Sequence, residues 1–280
     1  MQFSPVMSYL LSRRIVSVRG QGAATFLQGL VTQDVQSVSV DRPSVAAAFL
    51  NPKGRVMSTA LLLRDPEGFL IDLPKANADA ILSMLTRHKL RLPLSIKAED
   101  GLAVAVGTDA GDVLLRQIDP RCTALPTRTV IRTASAPPSS EPDEYRLTRT
   151  LAGIVESECT DGIPIFFNLD LANAISFTKG CYTGQELVTR TLRRGVVRRR
   201  IFVLRSPDVQ IGQVVKYRNE ELGAVVSAVG DVGLAMLQLG GLPLNEKEQV
   251  RIAFGGIDQR EVRVGENPAQ ILLPSYIGDS

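Results

Sequence analysis

Hydrophobic and polar positions follow one rhythm up to about residue 200 and another beyond it. Ile15 to Val18 predict a strand; after Gly20 and Gly22, Phe26, Leu27, Leu30 and Val31 recur at helical i, i+1, i+4, i+5 spacing. Val45 to Leu50 and Val56 to Leu63 predict two strands around Asn51-Pro52-Lys53-Gly54-Arg55, a Pro/Gly turn with two cations at its tip. Phe69 to Leu73 predicts a further strand. Beyond Pro74 a helix carries Ile81, Met84, Leu85 and His88 on one face. Leu102 to Val106, Val113 to Ile118 and Thr129 to Arg132 are β-like runs of a second α+β unit, followed by a Pro/Ser-rich stretch from Ala134 to Asp143 that reads as a surface loop. From Ile201 the pattern becomes short strands at regular intervals: Ile201 to Leu204, Gln213 to Tyr217, Ala224 to Ala228, Gln249 to Phe254 and Glu261 to Val264. That spacing predicts a small β-barrel or sandwich with its boundary near residue 200.

Composition removes whole classes of function. The 280 residues are 44% hydrophobic and 22% charged, enough to bury a core in two domains or three small ones. A net charge of +3 names no polyanionic partner. The single histidine, His88, excludes multi-histidine metal centres and two-histidine acid/base pairs, and its place near a helix C-terminus predicts a packed or capping role. Cys122, Cys159 and Cys181 form no CxxC pair, which supports neither a disulfide framework nor a zinc ribbon. No apolar run has membrane-spanning length, and the N-terminal segment lacks a positive region before its short apolar stretch. The expectation is a cytosolic protein with no membrane partner.

The least generic segment is residues 179–200, KGCYTGQELVTRTLRRGVVRRR. Gly180 and Gly184 bracket Cys181, and Leu187, Val188, Thr191 and Leu192 mark a short helix from Gln185 that Gly195 would end. A thiol just before a helix N-terminus, with Lys179 beside it, is expected to ionise more readily than a free cysteine. A small buried residue in a tight turn is the plainer alternative. Gln185 and Glu186 fall in the first helical turn, where the dipole alone favours a carboxylate; equally, the two could pair with a heterocycle. Arg190, Arg193, Arg194, Arg198, Arg199 and Arg200 crowd eleven positions, as a solvated basic face, a holder of an anionic ligand tail, or an RNA contact. No RNP-like aromatic motif accompanies them, so direct nucleic-acid binding is not expected.

KGCYTGQE strongly resembles the signature of the YgfZ family of folate-binding proteins, which includes a related mitochondrial iron-sulfur assembly factor and is related to the aminomethyltransferase (T-protein) of glycine cleavage. The likeness extends to VRGQGAATFLQGLVTQDV, FLNPKGRV, IPIFFNLDLANAISFTKGCY and ELGAVVSAVGDVGLAML. It implies an α+β fold: a ring of α+β subdomains around a central channel, with a C-terminal small β-barrel. The units would be 1–95, an N-terminal folate-binding subdomain; 96–200, a second subdomain carrying the signature; and 201–280, the barrel. The implied cofactor is tetrahydrofolate or a derivative, with no stable metal. The implied function is maturation or repair of 4Fe-4S enzymes, with clients such as a tRNA methylthiotransferase. A bacterial cytoplasmic location is expected in preference to the mitochondrial matrix.

Cys181 carries over as the catalytic residue and possible transient cluster ligand, since one cysteine cannot hold a cluster alone. Lys179, Tyr182, Gln185 and Glu186 carry over with the motif as cofactor-binding. Lys53, Arg55, Arg194 and Arg198 are candidates for the anionic tail of the folate. The alternative is a folate-dependent one-carbon transferase. T-proteins place a catalytic Asp a few residues after the turn resembling Lys53-Gly54, where this chain has Ser58 and Thr59. They place a pterin-binding carboxylate two residues after the proline resembling Pro164, where this chain has Phe166. Asp161, Asp170 or Glu186 are the candidate substitutes.

Overall fold

The computed structural model describes residues 8–107, 112–133, 143–193, 196–239 and 243–278. In chain order its first elements are β1 (Ser8–Tyr9), β2 (Arg13–Arg19), α1 (Ala23–Gln28), β3 (Ser44–Leu50), β4 (Val56–Asp65), β5 (Gly68–Pro74), α2 (Lys75–Lys89) and β6 (Ser95–Ala98). Next come β7 (Leu102–Val106), β8 (Val113–Gln117), β9 (Arg128–Arg132), α3 (Asp143–Leu151) and α4 (Gln185–Arg193). The last part holds β10 (Arg200–Arg205), β11 (Val214–Tyr217), β12 (Glu220–Val229), β13 (Val232–Leu237), α5 (Lys247–Gly255), β14 (Val262–Val264), β15 (Asn267–Pro268), β16 (Gln270–Leu272) and α6 (Ser275–Gly278).

Three antiparallel sheets result, in strand orders β3-β4-β5-β2-β6, β1-β7-β9-β8 and β15-β14-β11-β12-β13-β10-β16. The first sheet runs on to Ala98 through β6, and the second borrows β1 from the N-terminal segment. The third curls until β14 and β16 approach each other, a nearly closed barrel.

Strand β3 is buried along its whole length because both faces of its sheet are covered. Val45, Ala47 and Phe49 pack with α1 and α2, beside Leu27, Ile81 and Leu85. Ala46, Ala48 and Leu50 point the other way, into the core that contains the barrel strands and the signature segment. Period-two alternation therefore sends one strand into two cores.

Two expectations need correction. Gln249 to Phe254, expected as a strand, lies in α5; Val250 and Ala253, three apart, are buried while Ile252 is 59% exposed, which is helical periodicity. Helix α1 ends at Gln28, so Leu30 and Val31 are buried from the turn beyond it, where Val31 bridges to Phe49. Residues 134–142 of the Pro/Ser stretch and Gly195 lie outside the described residues. His88 hydrogen-bonds the Met84 carbonyl through Nδ1 at 2.8 Å, within its own helix.

Candidate functional site

The signature loop is held by backbone carbonyls. Lys179 turns inward, and its Nζ donates to the carbonyls of Gln28 (2.7 Å), Val31 (2.8 Å) and Gln33 (2.9 Å), at and just beyond the end of α1. An ammonium has three protons, so none is left for a ligand. Burial pushes its pKa down to about 8, against the opposite pull of Asp34, so the charged form still prevails at neutral pH. The Tyr182 ring lies 5.2 Å from the same Nζ; it is buried, and burial pushes the phenol up to about 12. The Thr183 N–H donates to Gly29 O at 3.0 Å, and the Ser176 N–H to Thr32 O at 3.0 Å. Gln185 folds back, its Oε1 accepting the Tyr182 N–H at 3.3 Å.

The expected roles of these side chains therefore separate. Lys179, Tyr182 and Gln185 brace the loop from inside, whereas Cys181 and Glu186 are exposed. Alternate residues of a tight loop face opposite ways, and the bracing of 179 and 182 leaves the thiol between them in solvent. The buried-residue alternative does not hold for Cys181; it holds for Cys122 and Cys159. Lys179 acts on Cys181 by holding the loop, since its charge is spent on carbonyls.

The cationic turn meets this loop through two glycines. Asn51 Oδ1 accepts the N–H groups of Lys53 (2.9 Å) and Arg55 (3.1 Å), which closes the turn and leaves both side chains exposed. Gly54 has φ +73° and Gly184 φ +80°. A Cβ on Gly184 would lie 2.6 Å from Asn51 O and 2.9 Å from the Gly54 Cα; one on Gly54 would lie 2.6 Å from the Leu187 Cβ. Only glycine permits both the conformation and the approach. Lys53 and Arg55 thus stand on a turn packed against the loop that presents Cys181.

The arginine run divides. On α4, Glu186, Arg190 and Arg193 form one exposed stripe while Val188 is buried opposite. Arg198 is exposed, and Arg199 lies over the Phe166 ring at 4.7 Å. Arg200 is a core residue, bonded to both oxygens of Asp170 at 2.8 Å and to Ile165 O at 2.8 Å. Arg194 lies outside the described residues.

Around Thr59, at the stretch where the resemblance leads one to look for a catalytic carboxylate, the interior is nearly filled. Thr59, Ala46, Leu61, Phe167, Leu169 and Tyr276 line a cavity of 20 Å³, room for about one water. Small-ligand pockets run to roughly 300–1,000 Å³. Arg13 and Arg121 also line it, and both are committed to carboxylates. Of the candidate substitutes, Asp170 is spent on Arg200, Asp161 is exposed at φ +60°, and Glu186 is on the α4 stripe; none lines the cavity. Phe166 faces Arg199, and the aromatic residues that line the cavity are Phe167 and Tyr276. These residues do not fit a folate in this conformation.

Beside the cavity lies a buried ionic cluster that the sequence pattern does not disclose. Arg13 meets Asp72 at 2.7 Å and Glu156 at 3.0 Å; Arg128 meets Asp72 at 2.7 Å and bonds the Tyr145 hydroxyl; Arg121 meets Glu156 at 2.9 Å and Asp119 at 2.7 Å. Burial alone would raise the Glu156 carboxyl, but Arg13, Arg121, Arg149 and Arg128 outweigh it and hold it well below the usual range. The cluster ties β2 and β5 of the first sheet to β9 of the second and to α3. Asp72 sits within an apolar strand, the one local sign of it.

Among the described residues, no helix is long and apolar enough to cross a membrane, and no group of three or more metal-ligating side chains occurs.

No family model matches the chain. Curated relatives do. The chain is 34% identical to "Iron-sulfur cluster assembly factor IBA57 homolog, mitochondrial" of Neurospora crassa, over 98% of its length and 81% of the relative's. It is 32% identical to the protein of the same name in Pyricularia oryzae, over 82% and 71%. In Coccidioides immitis the figure is 28%, over 96% and 82%. The relatives are named mitochondrial, which overturns the bacterial cytoplasmic location expected from the N-terminal pattern. Among solved structures, the glycine cleavage system aminomethyltransferase T from Bartonella henselae superposes with a TM-score of 0.72 over 96% of this chain and 86% of that one, at 16% identity. That is a likeness of fold.

Proposed function

The chain belongs to the family of iron-sulfur cluster assembly factors that includes the mitochondrial IBA57 homologues, and from that premise we propose that it serves maturation or repair of 4Fe-4S enzymes through the thiol of Cys181. The observation that carries this is the braced loop: three carbonyl bonds from Lys179 and the Gly54–Gly184 contact serve to present one exposed sulfur. As a thiolate, Cys181 supplies one ligand to a cluster whose other ligands belong to the client, because Cys-only sites use four thiolates. The contact is shared or transient. Lys53 and Arg55 beside the loop favour a client surface with acidic groups around its cluster. A tRNA methylthiotransferase is one client of the expected class.

Folate is a separate part of this proposal. Tetrahydrofolate or a derivative would need a wider cavity and an acceptor for the pterin that the lining residues do not supply, so no step is routed through it. Saturable binding of tetrahydrofolate, lost on Thr59→Phe, would support it; absence of binding would remove it. For the one-carbon transferase alternative, positions 58 and 59 carry no carboxylate to handle a proton, and the Ser58 and Thr59 hydroxyls donate to the Thr59 and Glu156 carbonyls.

The test of the thiol is complementation of a null strain with wild type and Cys181→Ser, read as 4Fe-4S enzyme activity and, separately, tRNA methylthiolation. Wild type restores activity and a folded Cys181→Ser does not. A Cys181→Ser variant as active as wild type would overturn the proposal.

A further inference from the structure

Where the barrel nearly closes, three arginines line one cleft, and among the described residues only one of them, Arg260, is paired with a carboxylate, that of Asp258. Arg205 at the end of β10 and Arg260 and Arg263 around the start of β14 line a space of 370 Å³ together with Ser206, Gln259 and Gln270. That is within the range of small-ligand pockets. The site lies in the barrel and uses none of the residues of the signature loop.

Two of the guanidinium groups are held in place. Arg263 Nη1 donates to the carbonyls of Arg260 (2.7 Å) and Val262 (2.9 Å). Arg260 is held by Asp258 through Nε at 3.0 Å and Nη2 at 2.8 Å. The side chain of the third, Arg205, is exposed and makes no hydrogen bond or ion pair among the described residues. Lys216 stands directly across the β11–β14 ladder from Arg263, and like charges facing each other across a ladder oppose pairing. Asp258 offsets the charge of Arg260, so Arg205 and Arg263, with Lys216 beside them, carry the positive charge of the cleft that has no ion-pair partner among the described residues. Gln259 adds an oriented amide, its Oε1 fixed by the Ile271 N–H at 2.8 Å and its NH₂ left to donate.

We propose that this cleft binds a phosphoryl group, carried by free pyrophosphate or by a nucleoside di- or triphosphate. Forked guanidinium donors match phosphate oxygens bidentately, and donors fixed beforehand lose little freedom on binding. The closing of the barrel supplies the concave wall that an arginine stripe on a helix lacks.

The test is calorimetric titration of the full chain with pyrophosphate at constant ionic strength. Wild type binds at one saturable site. Arg205→Gln combined with Arg263→Gln weakens binding by about tenfold or more, while Arg190→Gln combined with Arg193→Gln on α4 leaves it unchanged. If the first pair fails to fold, by circular dichroism, Arg205→Gln alone carries the comparison, because the Arg205 side chain has no hydrogen bond or ion pair among the described residues. Adenosine triphosphate binding tighter than pyrophosphate identifies a nucleotide as the source, and equal binding identifies the phosphoryl group alone. Non-saturable uptake, equal loss in the α4 variant, or binding of RNA without pyrophosphate overturns the proposal.

Discussion

Replacing Lys179 by Met removes the one group that satisfies three carbonyls. Hydrogen bonds to a charged donor contribute about 1.5–3 kcal/mol each, so three independent bonds would sum to roughly 4.5–9 kcal/mol. They are not independent. One ammonium serves all three, its burial carries a desolvation cost, and the site is half-buried, so water can reach part of the vacated space. A loss of about 3 kcal/mol follows, which for a chain of this size lowers the melting temperature by roughly 6–12 °C. Lys179→Arg is not a rescue, because a planar fork cannot turn three donors onto three carbonyls that converge on one point. The assay is urea unfolding of wild type, Lys179→Met and Lys179→Arg, with the alkylation rate of Cys181 followed in folded protein. Both variants should lose stability and change the alkylation rate, since the loop that holds the sulfur outward is released. A Lys179→Met protein within about 0.5 kcal/mol of wild type, with Cys181 alkylated at the wild-type rate, would refute the bracing role.

Glu156→Gln should cost about 3–5 kcal/mol in the same unfolding assay, because it leaves the buried cluster one negative charge short, with Arg13 keeping only Asp72 and Arg121 only Asp119. The pKa values of Glu156, Asp119 and Glu158 are all held down in the folded state, so their contribution is complete above the unfolded carboxyl value of about 4 and is lost as pH falls through the depressed values. Wild-type stability should therefore drop in acid below about pH 4, and Glu156→Gln should show a shallower drop. Gly184→Ala should destabilise by about 1–3 kcal/mol, since its Cβ meets backbone atoms and its φ is positive, whereas Gly180→Ala, with nothing within 4 Å, should stay within about 0.5 kcal/mol. Equal melting temperatures for the two alanine variants would contradict the glycine contact.

Strand and helix identity was legible wherever local periodicity agreed with burial. The continuous apolar run of β3 and β4 and the helical stripe of α2 needed no partner to be recognised, because the pleat and the helix repeat are properties of the backbone. The failure at α5 has the same origin. Six residues that alternate like a strand also carry an i, i+3 pair, and the choice between them fell to what Val250 and Ala253 could pack against. Cys181 was legible from the motif around it. The direction each of its neighbours faces was not, since the carbonyls that take Lys179 lie some 150 residues away in the chain.

The sequence by itself determined strands β2 to β5 and helix α2, the absence of a second histidine, and a single cysteine set in a glycine-bracketed turn. Tertiary structure alone decided which charges are structural and which are free. Asp72, Arg128, Glu156 and Arg200 read as ordinary polar residues, yet they are buried and paired between elements remote in sequence. A buried charge is tolerated only beside its counter-charge, and which counter-charge it meets depends on how three sheets are brought together.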